Sequence, residues 1–336
     1  MDDFLAANGW ADAVQHPLTA DASNRCYIRL ARNNHRVLLM NAPPPTEDVR
    51  PFVSIARHLR GLGLSAPEIL AEDPDGGFLL LEDFGDDTYT RLLAEHPESE
   101  RALYELAVDV LIDLHHRPPD EAIPPGLIAY DGPLLLEKAH LLTDWYLPAM
   151  TGGETVPAVR ADFDAAWANG FAAVEAQPQT LVLRDYHVDN LMRLDGRQGV
   201  AACGLLDFQD AVSGASAYDL MSLLEDARRD LGDGLKQAML ERYFAGFSHL
   251  ANSGPARDAF MTAFAVLSAQ RHARVIGLFV RLNVSDAKPA YLQHLPRLWR
   301  LLEQSLNEPV LASLRQWFNE HFPPHLRGIP AMPEAN

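Results

Sequence analysis

The 336-residue chain is short of several things. It has two cysteines, Cys26 and Cys203, far apart in sequence. They supply neither a disulfide framework nor a paired-cysteine metal knuckle, and a reduced, cytoplasmic compartment is the simplest expectation. No run of 18 apolar residues exists; the best stretch, 275–284, is interrupted by Arg281, so no membrane span is expected. The opening MDDFLAANGWADAV starts on acids and lacks a basic region before an apolar core, which is unlike a secretory signal. Positive charge is scarce as well. Lys plus Arg is 28 against 46 Asp plus Glu, a net charge of −18, and the pI is near 5.0. A general nucleic-acid binder would need a basic face and is not expected. The scarcest cation is lysine. Only Lys138, Lys236 and Lys288 occur, and the first 137 residues hold none.

What is present suits a globular protein. Hydrophobic residues make up 48% and charged residues 22%, which excludes a wholly disordered chain. The length allows two domains or one unit of two lobes. Residues 18–41 read as strand, turn, strand, with apolar runs at Cys26–Leu30 and Val37–Met40 around the turn signal Asn33-Asn34. Helix 51–62 has Phe52, Ile55, Ala56, Leu59 and Leu62 on one face, with Pro51 in its first turn and Gly63 after its end. A short apolar strand follows at Phe78–Leu81. The remainder reads as mostly helical. The spacing of Leu103, Leu106, Ala107, Val110, Leu111 and Leu114 predicts a buried helix over 99–116. Further helices are expected near 134–147, 158–175, 216–229, 235–250, 258–282, 290–306 and 309–321. The last residues, rich in Pro, are expected to fray.

The informative stretch is LVLRDYHVDNLMRLDGRQGVAACGLLDFQD, residues 181–210. Leu191–Leu194 and Cys203–Leu206 read as two strands joined by a turn-rich loop. An antiparallel hairpin brings its open ends together. Here those ends are Asn190 and Asp207, and Asp185 precedes Asn190 in a loop able to fold back. Two carboxylates and an amide oxygen thus converge. Mg²⁺ is held by such oxygens together with phosphates and water, and a carboxylate left free can take a proton from an incoming hydroxyl. That division of labour is the one used in phosphoryl transfer.

LRDYHVDN followed by LLDFQD resembles the catalytic and metal loops of the protein-kinase-like fold, in its aminoglycoside phosphotransferase and small-molecule kinase branch. The resemblance implies an α+β, two-lobe architecture. A β-rich nucleotide-binding lobe would span 1–82, a helical catalytic and substrate lobe 83–322, and a flexible tail 323–336. It implies ATP and Mg²⁺ as cofactors, Asp185 as the catalytic aspartate, and Asn190 and Asp207 as metal ligands. Asp219, in SAYDLMSLL, matches the branch's structural aspartate. Glu82 and Phe84 would read adenine through backbone groups, and the loop 21–27, with Ser23 and Asn24, would cover the phosphates. The chain departs from the pattern at Leu183, where His is usual, and at Gln209, where Gly is usual. The strand lysine is also missing, its place falling at Met40. Arg25 or Arg29 is the expected substitute, because guanidinium forks suit phosphate; solvated surface arginines are the plain alternative for both.

A longer series of blocks, over residues 18–302, is similar to bacterial kinases of the anomeric hydroxyl of N-acetylmuramate and N-acetylglucosamine, which act in cell-wall recycling. That similarity implies a small sugar as substrate, and a monomer is expected. Candidates for sugar contact are Asp144, Trp145 (or Tyr146), Tyr186 and His187, with Arg271 and Arg274 for the lactyl carboxylate of N-acetylmuramate. Core packing for Trp145 and a solvated face for the arginines are the competing readings. An aminoglycoside phosphotransferase and a pseudokinase-type nucleotide-binding module are the alternatives in function. His115-His116 is assigned to packing or capping, since neighbouring helical residues point apart.

Overall fold

The computed structural model describes residues 1–18 and 25–331. Along the described chain the strands are β1 (Val14–Pro17), β2 (Cys26–Arg32), β3 (His35–Asn41), β4 (Ile69–Asp73), β5 (Phe78–Glu82), β6 (Gln179–Val182), β7 (Leu191–Arg193), β8 (Cys203–Leu205) and β9 (Val212–Ala215). Two compact units are formed. One comprises Met1–Pro124 with Leu183–Ala211, the other Pro125–Val182 with Val212–Asn336.

The first unit is built on an antiparallel sheet of order β1-β2-β3-β5-β4. Its tightest connection joins β2 to β3 through Asn33 and Asn34, both at positive φ (48° and 64°). Two left-handed residues give the turn whose twist matches a hairpin, and Asn tolerates that region better than most side chains. Alternation then sorts the strands' side chains. Leu30, Val37, Leu39 and Leu80 pack with Leu5 of α1 (Asp2–Ala7) into one core cluster, while Leu38 and Leu81 belong to the other face. Helix α2 (Arg50–Gly61) buries Phe52, Ile55, Ala56 and Leu59 of the predicted stripe and Val53 besides, while Leu62 is its half-buried C-cap. After α3 (Tyr89–Glu95), helix α4 (Glu100–His115) buries Leu103, Ala107, Val110, Leu111 and Leu114. His115 ends α4 and His116 is its C-cap, followed by the short α5 (Pro119–Ala122). The β7–β8 hairpin pairs Leu191 with Leu205 and Arg193 with Cys203.

The second unit is mostly helical and includes the two-stranded β6–β9 ribbon. It contains α6 (Gly132–Leu141), α7 (Leu147–Thr151), α8 (Pro157–Glu175), α9 (Ala217–Leu224), α10 (Leu235–Ala245), α11 (Pro255–Asp286), α12 (Leu295–Ser305) and α13 (Ala312–His321). Three expectations need correction. The helix placed at 134–147 is interrupted by a π turn at Leu142–Tyr146. The helix placed at 216–229 stops at Leu224, where the carboxylates of Glu225 and Asp226 are buried and ion-paired, Glu225 with Lys236 and Asp226 with Arg228. The chain beyond Pro323 does not fray throughout. The Tyr146 hydroxyl accepts from Gly328 N, and Arg327 bonds Glu303 and Asn319; residues 332–336 lie outside the described ones.

No helix among the described residues is long and apolar enough to cross a membrane. In the 32-residue α11, Gly277 faces the backbone of Leu141 and Leu142, and a Cβ there would overlap it. Gly277→Ala should therefore lower stability by about 1–3 kcal/mol through overpacking, seen as a fall in Tm. Gly61→Ala has open space around it and should leave Tm nearly unchanged.

Candidate active site

The residues singled out in 181–210 meet at the open end of the β7–β8 hairpin. Pairing continues one step beyond the strands, since Leu206 N donates to Asn190 O at 3.0 Å, so Asn190 and Asp207 flank the ladder's end. The preceding loop turns back sharply. Arg184 has φ 68°, Asp185 N donates to Leu183 O, and a 3₁₀ turn at Val188–Asn190 delivers Asn190. Asn190 Nδ2 donates to the Asp185 carbonyl at 2.9 Å and lies 3.4 Å from Asp207 Oδ2. With Nδ2 so engaged, Oδ1 is the amide atom left to face a cation.

Asp207 adopts φ 56°, a left-handed backbone that a non-glycine residue takes at some cost. Its neighbour Phe208 is fully buried and stacks on Phe52 of α2 with ring centroids 4.8 Å apart, which anchors the turn. Three donors surround the Asp207 carboxylate: Gln209 Nε2 at 2.8 Å, Arg25 Nη2 at 3.3 Å and Asn190 Nδ2. Although 41% of its side-chain surface stays accessible, the carboxyl is held above the usual carboxylate range. Loss of hydration is the main cause and Asp185 adds to it, while Gln209 and Arg25 pull the other way.

A cavity of about 410 Å³ opens onto this end. Leu18, Tyr27, Leu38, Phe52, Pro67, Leu81 and Leu206 form its apolar walls; Arg25, Asn190 and Asp207 are its polar groups. Burial pushes the Tyr27 phenol up to about 12, so it stays protonated. An apolar slot ending in a cation and a carboxylate can seat a flat heterocycle with an anionic tail.

Arg25 and Arg29, equal candidates in the sequence, have different partners. Arg25 lies between Asp207 and Glu47, the latter at 3.7 Å. Arg29 is committed to the 83–86 loop, bonding Asp83, Asp86 and the Gly85 carbonyl. Met40, at the place of the usual lysine, is fully buried on β3. Glu82 ends β5; its carboxylate accepts from Arg197, whose guanidinium lies 5.3 Å from the Phe84 ring. Ser23 and Asn24 lie outside the described residues.

Not every expected sugar contact is brought to this end. Tyr186 is buried and its hydroxyl donates to Ala107 O, so it braces the loop against α4. His187 is 7% exposed, beside Asn190. In the second unit, Asp144 pairs with Arg160, and Trp145 is half-buried. Tyr146 is fully buried, its hydroxyl bonded to Trp299 and the tail. Arg271 is buried and Arg274 half-buried, with Nη1 of each near the Tyr218 hydroxyl, at 3.2 and 3.5 Å. Asp219, in the first turn of α9, is 1% exposed. Glu47 and Arg197 escaped the sequence reading because a lone charge beside a helix or in a turn carries no periodic signal.

A model of the phosphotransferase enzyme family matches residues 14–259. The chain belongs to this family. Its curated relatives include the N-acetylmuramate/N-acetylglucosamine kinase of Caulobacter vibrioides, 37% identical with 96% of each chain covered. The protein of the same name from Pseudomonas aeruginosa is 36% identical, covering 94% of this chain and 91% of that one. Among solved structures, choline kinase LicA from Streptococcus pneumoniae superposes with a TM-score of 0.61 at 11% identity, over 92% of this chain and 96% of that one. The GDP complex of aminoglycoside 2'-phosphotransferase-IIIa gives 0.59 at 14%, over 90% and 96%. The protein-kinase-like fold expected for this phosphotransferase is therefore present.

Exchanging the two arginines separates their roles. Arg25→Ala should raise the KM for nucleotide tenfold or more, the worth of about 1.5–3 kcal/mol for a charged hydrogen bond, with little change in Tm. Arg29→Ala should lower Tm through the loosened 83–86 loop. Steady-state kinetics and thermal unfolding of both variants check the assignment, and an unchanged KM for Arg25→Ala overturns it.

Proposed function

We propose that this phosphotransferase moves the γ-phosphoryl group of ATP to the anomeric (C1) hydroxyl of N-acetylmuramate and N-acetylglucosamine, as a cytoplasmic, monomeric enzyme of peptidoglycan recycling. Relatives of that printed name, covered almost end to end, support the choice of sugar. The single observation that supports the chemistry is the meeting of Asp185, Asn190 and Asp207 beside an apolar cavity.

In this reading ATP lies in the cavity, with adenine at the backbone of Glu82 and Phe84 and the phosphates near Arg25. The loop holding Ser23 and Asn24 would cover the phosphates. The lobe boundary of the sequence reading, near residue 82, remains part of the proposal. Asp185 orients the sugar hydroxyl and accepts its proton as the oxygen attacks the γ-phosphorus and the bond to ADP breaks. The products are the sugar 1-phosphate and ADP. His187 and the second unit's Asp144, Trp145, Arg271 and Arg274 are assigned to sugar recognition, and Asp219 to support of the fold.

The donor set fits a hard divalent cation: one carboxylate and one amide oxygen. No group of three or more His, Cys, Asp or Glu among the described residues could hold a metal alone, so phosphates and water would complete the coordination. Mg²⁺ bound there would neutralise phosphate charge. Asp207 and Asn190 would hold it, while Asp185 keeps its carboxylate for the hydroxyl.

Two measurements test the proposal. With ATP, Mg²⁺ and N-acetylmuramate, ³¹P NMR should show an anomeric phosphate coupled to H1, and Asp185→Asn should slow its formation by about 10²–10⁴-fold. Phosphorylation of an aminoglycoside with no sugar turnover would replace the substrate assignment. Arg274→Ala should raise KM more for N-acetylmuramate than for N-acetylglucosamine, which lacks the carboxylate; equal losses would remove that arginine from recognition.

A further inference from the structure

Arg25 and Arg29 are equally shielded, each with 13% of its side-chain surface accessible, yet their ion pairs differ in kind. Arg29 meets Asp83 at 2.7 Å and Asp86 at 2.8 Å, the length of a tight charge-assisted bond. Arg25 meets two carboxylates through different nitrogens and at longer range. Its Nη2 lies 3.3 Å from Asp207 Oδ1, and its Nε lies 3.7 Å from Glu47 Oε2. One guanidinium is thus shared between the loop ahead of α2 and the turn after β8. It also lines the cavity, as Asp207 does.

The sharing has electrostatic consequences. Asp185 repels Asp207, and Glu47 adds a third carboxylate to the group. The charges of Arg25, Asp207 and Glu47 all reach the Tyr27 phenol in the cavity wall. One guanidinium cannot balance three carboxylates, and a divalent cation on Asp207 would supply charge of the needed sign. Such an ion and Arg25 carry like charge and would compete for one carboxylate, each weakening the other's hold. The nucleotide brings phosphates, which match a guanidinium fork. We propose that Arg25 changes partners when nucleotide binds: its Nη2 neutralises Asp207 in the ion-free protein and passes to the phosphates once a divalent cation takes that carboxylate, while Glu47 retains the Nε edge and is the positioning residue for the exchange. The proposal rests on the assignment of Asp207 as a metal ligand and of the phosphates to the Arg25 end of the cavity. It explains why arginine suits the position: a guanidinium presents separate N–H edges to two partners, whereas an ammonium is one point of charge.

The test uses Mn²⁺ as the probe and reads binding rather than turnover. Free and bound Mn²⁺ are measured by electron paramagnetic resonance with the full-length protein in about 0.3 M KCl, where longer-range charge effects are screened. Without nucleotide, Arg25→Ala should bind Mn²⁺ about two- to fivefold more tightly than wild type, because a competing cation is gone. With Mn²⁺ present, the same variant should bind a non-hydrolysable ATP analogue more weakly. These opposite signs are the signature of the exchange, and Mn²⁺ affinity that is unchanged or reduced in nucleotide-free Arg25→Ala overturns it. Glu47→Gln should weaken analogue binding about threefold in the wild-type background and leave it unaltered in Arg25→Ala, since it acts through the arginine. An equal loss in both backgrounds removes Glu47 from the exchange. Asp207→Asn separates this inference from its parent. If that variant keeps wild-type Mn²⁺ affinity in the presence of the analogue, the metal assignment fails and the exchange with it. If it loses Mn²⁺ while Arg25→Ala gains none, the metal assignment stands and the exchange falls.

Discussion

The site depends on keeping two carboxylates close without a metal cage around them. Asp185 and Asp207 repel, and loss of hydration works against ionised Asp207 as well. The fold answers with donors rather than with a nearby lysine. Asn190 ties the Asp185 backbone to the Asp207 side chain, Gln209 holds one carboxylate oxygen, and Arg25 brings the nearest positive charge. Each donor sits on a segment with a definite anchor: a hairpin end, a left-handed turn pinned by the Phe208–Phe52 stack, and the start of β2. The geometry thus arises from backbone architecture first and from side-chain chemistry second.

That order explains what could be read from the residues alone. The hairpin was legible because apolar runs on either side of a turn-rich loop admit few arrangements, and the convergence of Asn190 with Asp207 follows from closure of any antiparallel pair. Helices α2 and α4 were legible from their stripes. Strands β1, β4 and β9 were not: β1 is exposed along its whole length, β4 has no fully buried residue, and β9, VSGA, carries a single large apolar side chain. The early end of α9 was hidden too, since LLEDARRD is a good helical sequence; buried ion pairs of Glu225 and Asp226 take over where propensity would continue. Among site residues, Arg25 and Arg29 looked alike because one immediately precedes β2 and the other lies within it, four residues on. Only their partners tell them apart: Glu47 and Asp207 for Arg25, and Asp83, Gly85 and Asp86 for Arg29.

Tyr186 gives a related lesson. A residue next to Asp185 invites a role in substrate contact, yet the loop turns sharply at Arg184, which has a positive φ. Tyr186 fills the core and bonds the α4 backbone, and this makes the loop rigid enough to hold Asp185 in place. Arg197 plays a similar part at the far end of the hairpin, where it clamps the Glu82 carboxylate and covers the Phe84 ring.

The distribution of amines has a practical side. All three lysines belong to the second unit, so the unit that carries the cavity offers no ε-amino group at all. A reagent that acylates lysine side chains would find no target in that unit. Covalent ligands aimed at that unit's own side chains would have to seek another nucleophile, of which the exposed thiol of Cys26, one residue beyond Arg25, is the nearest in sequence.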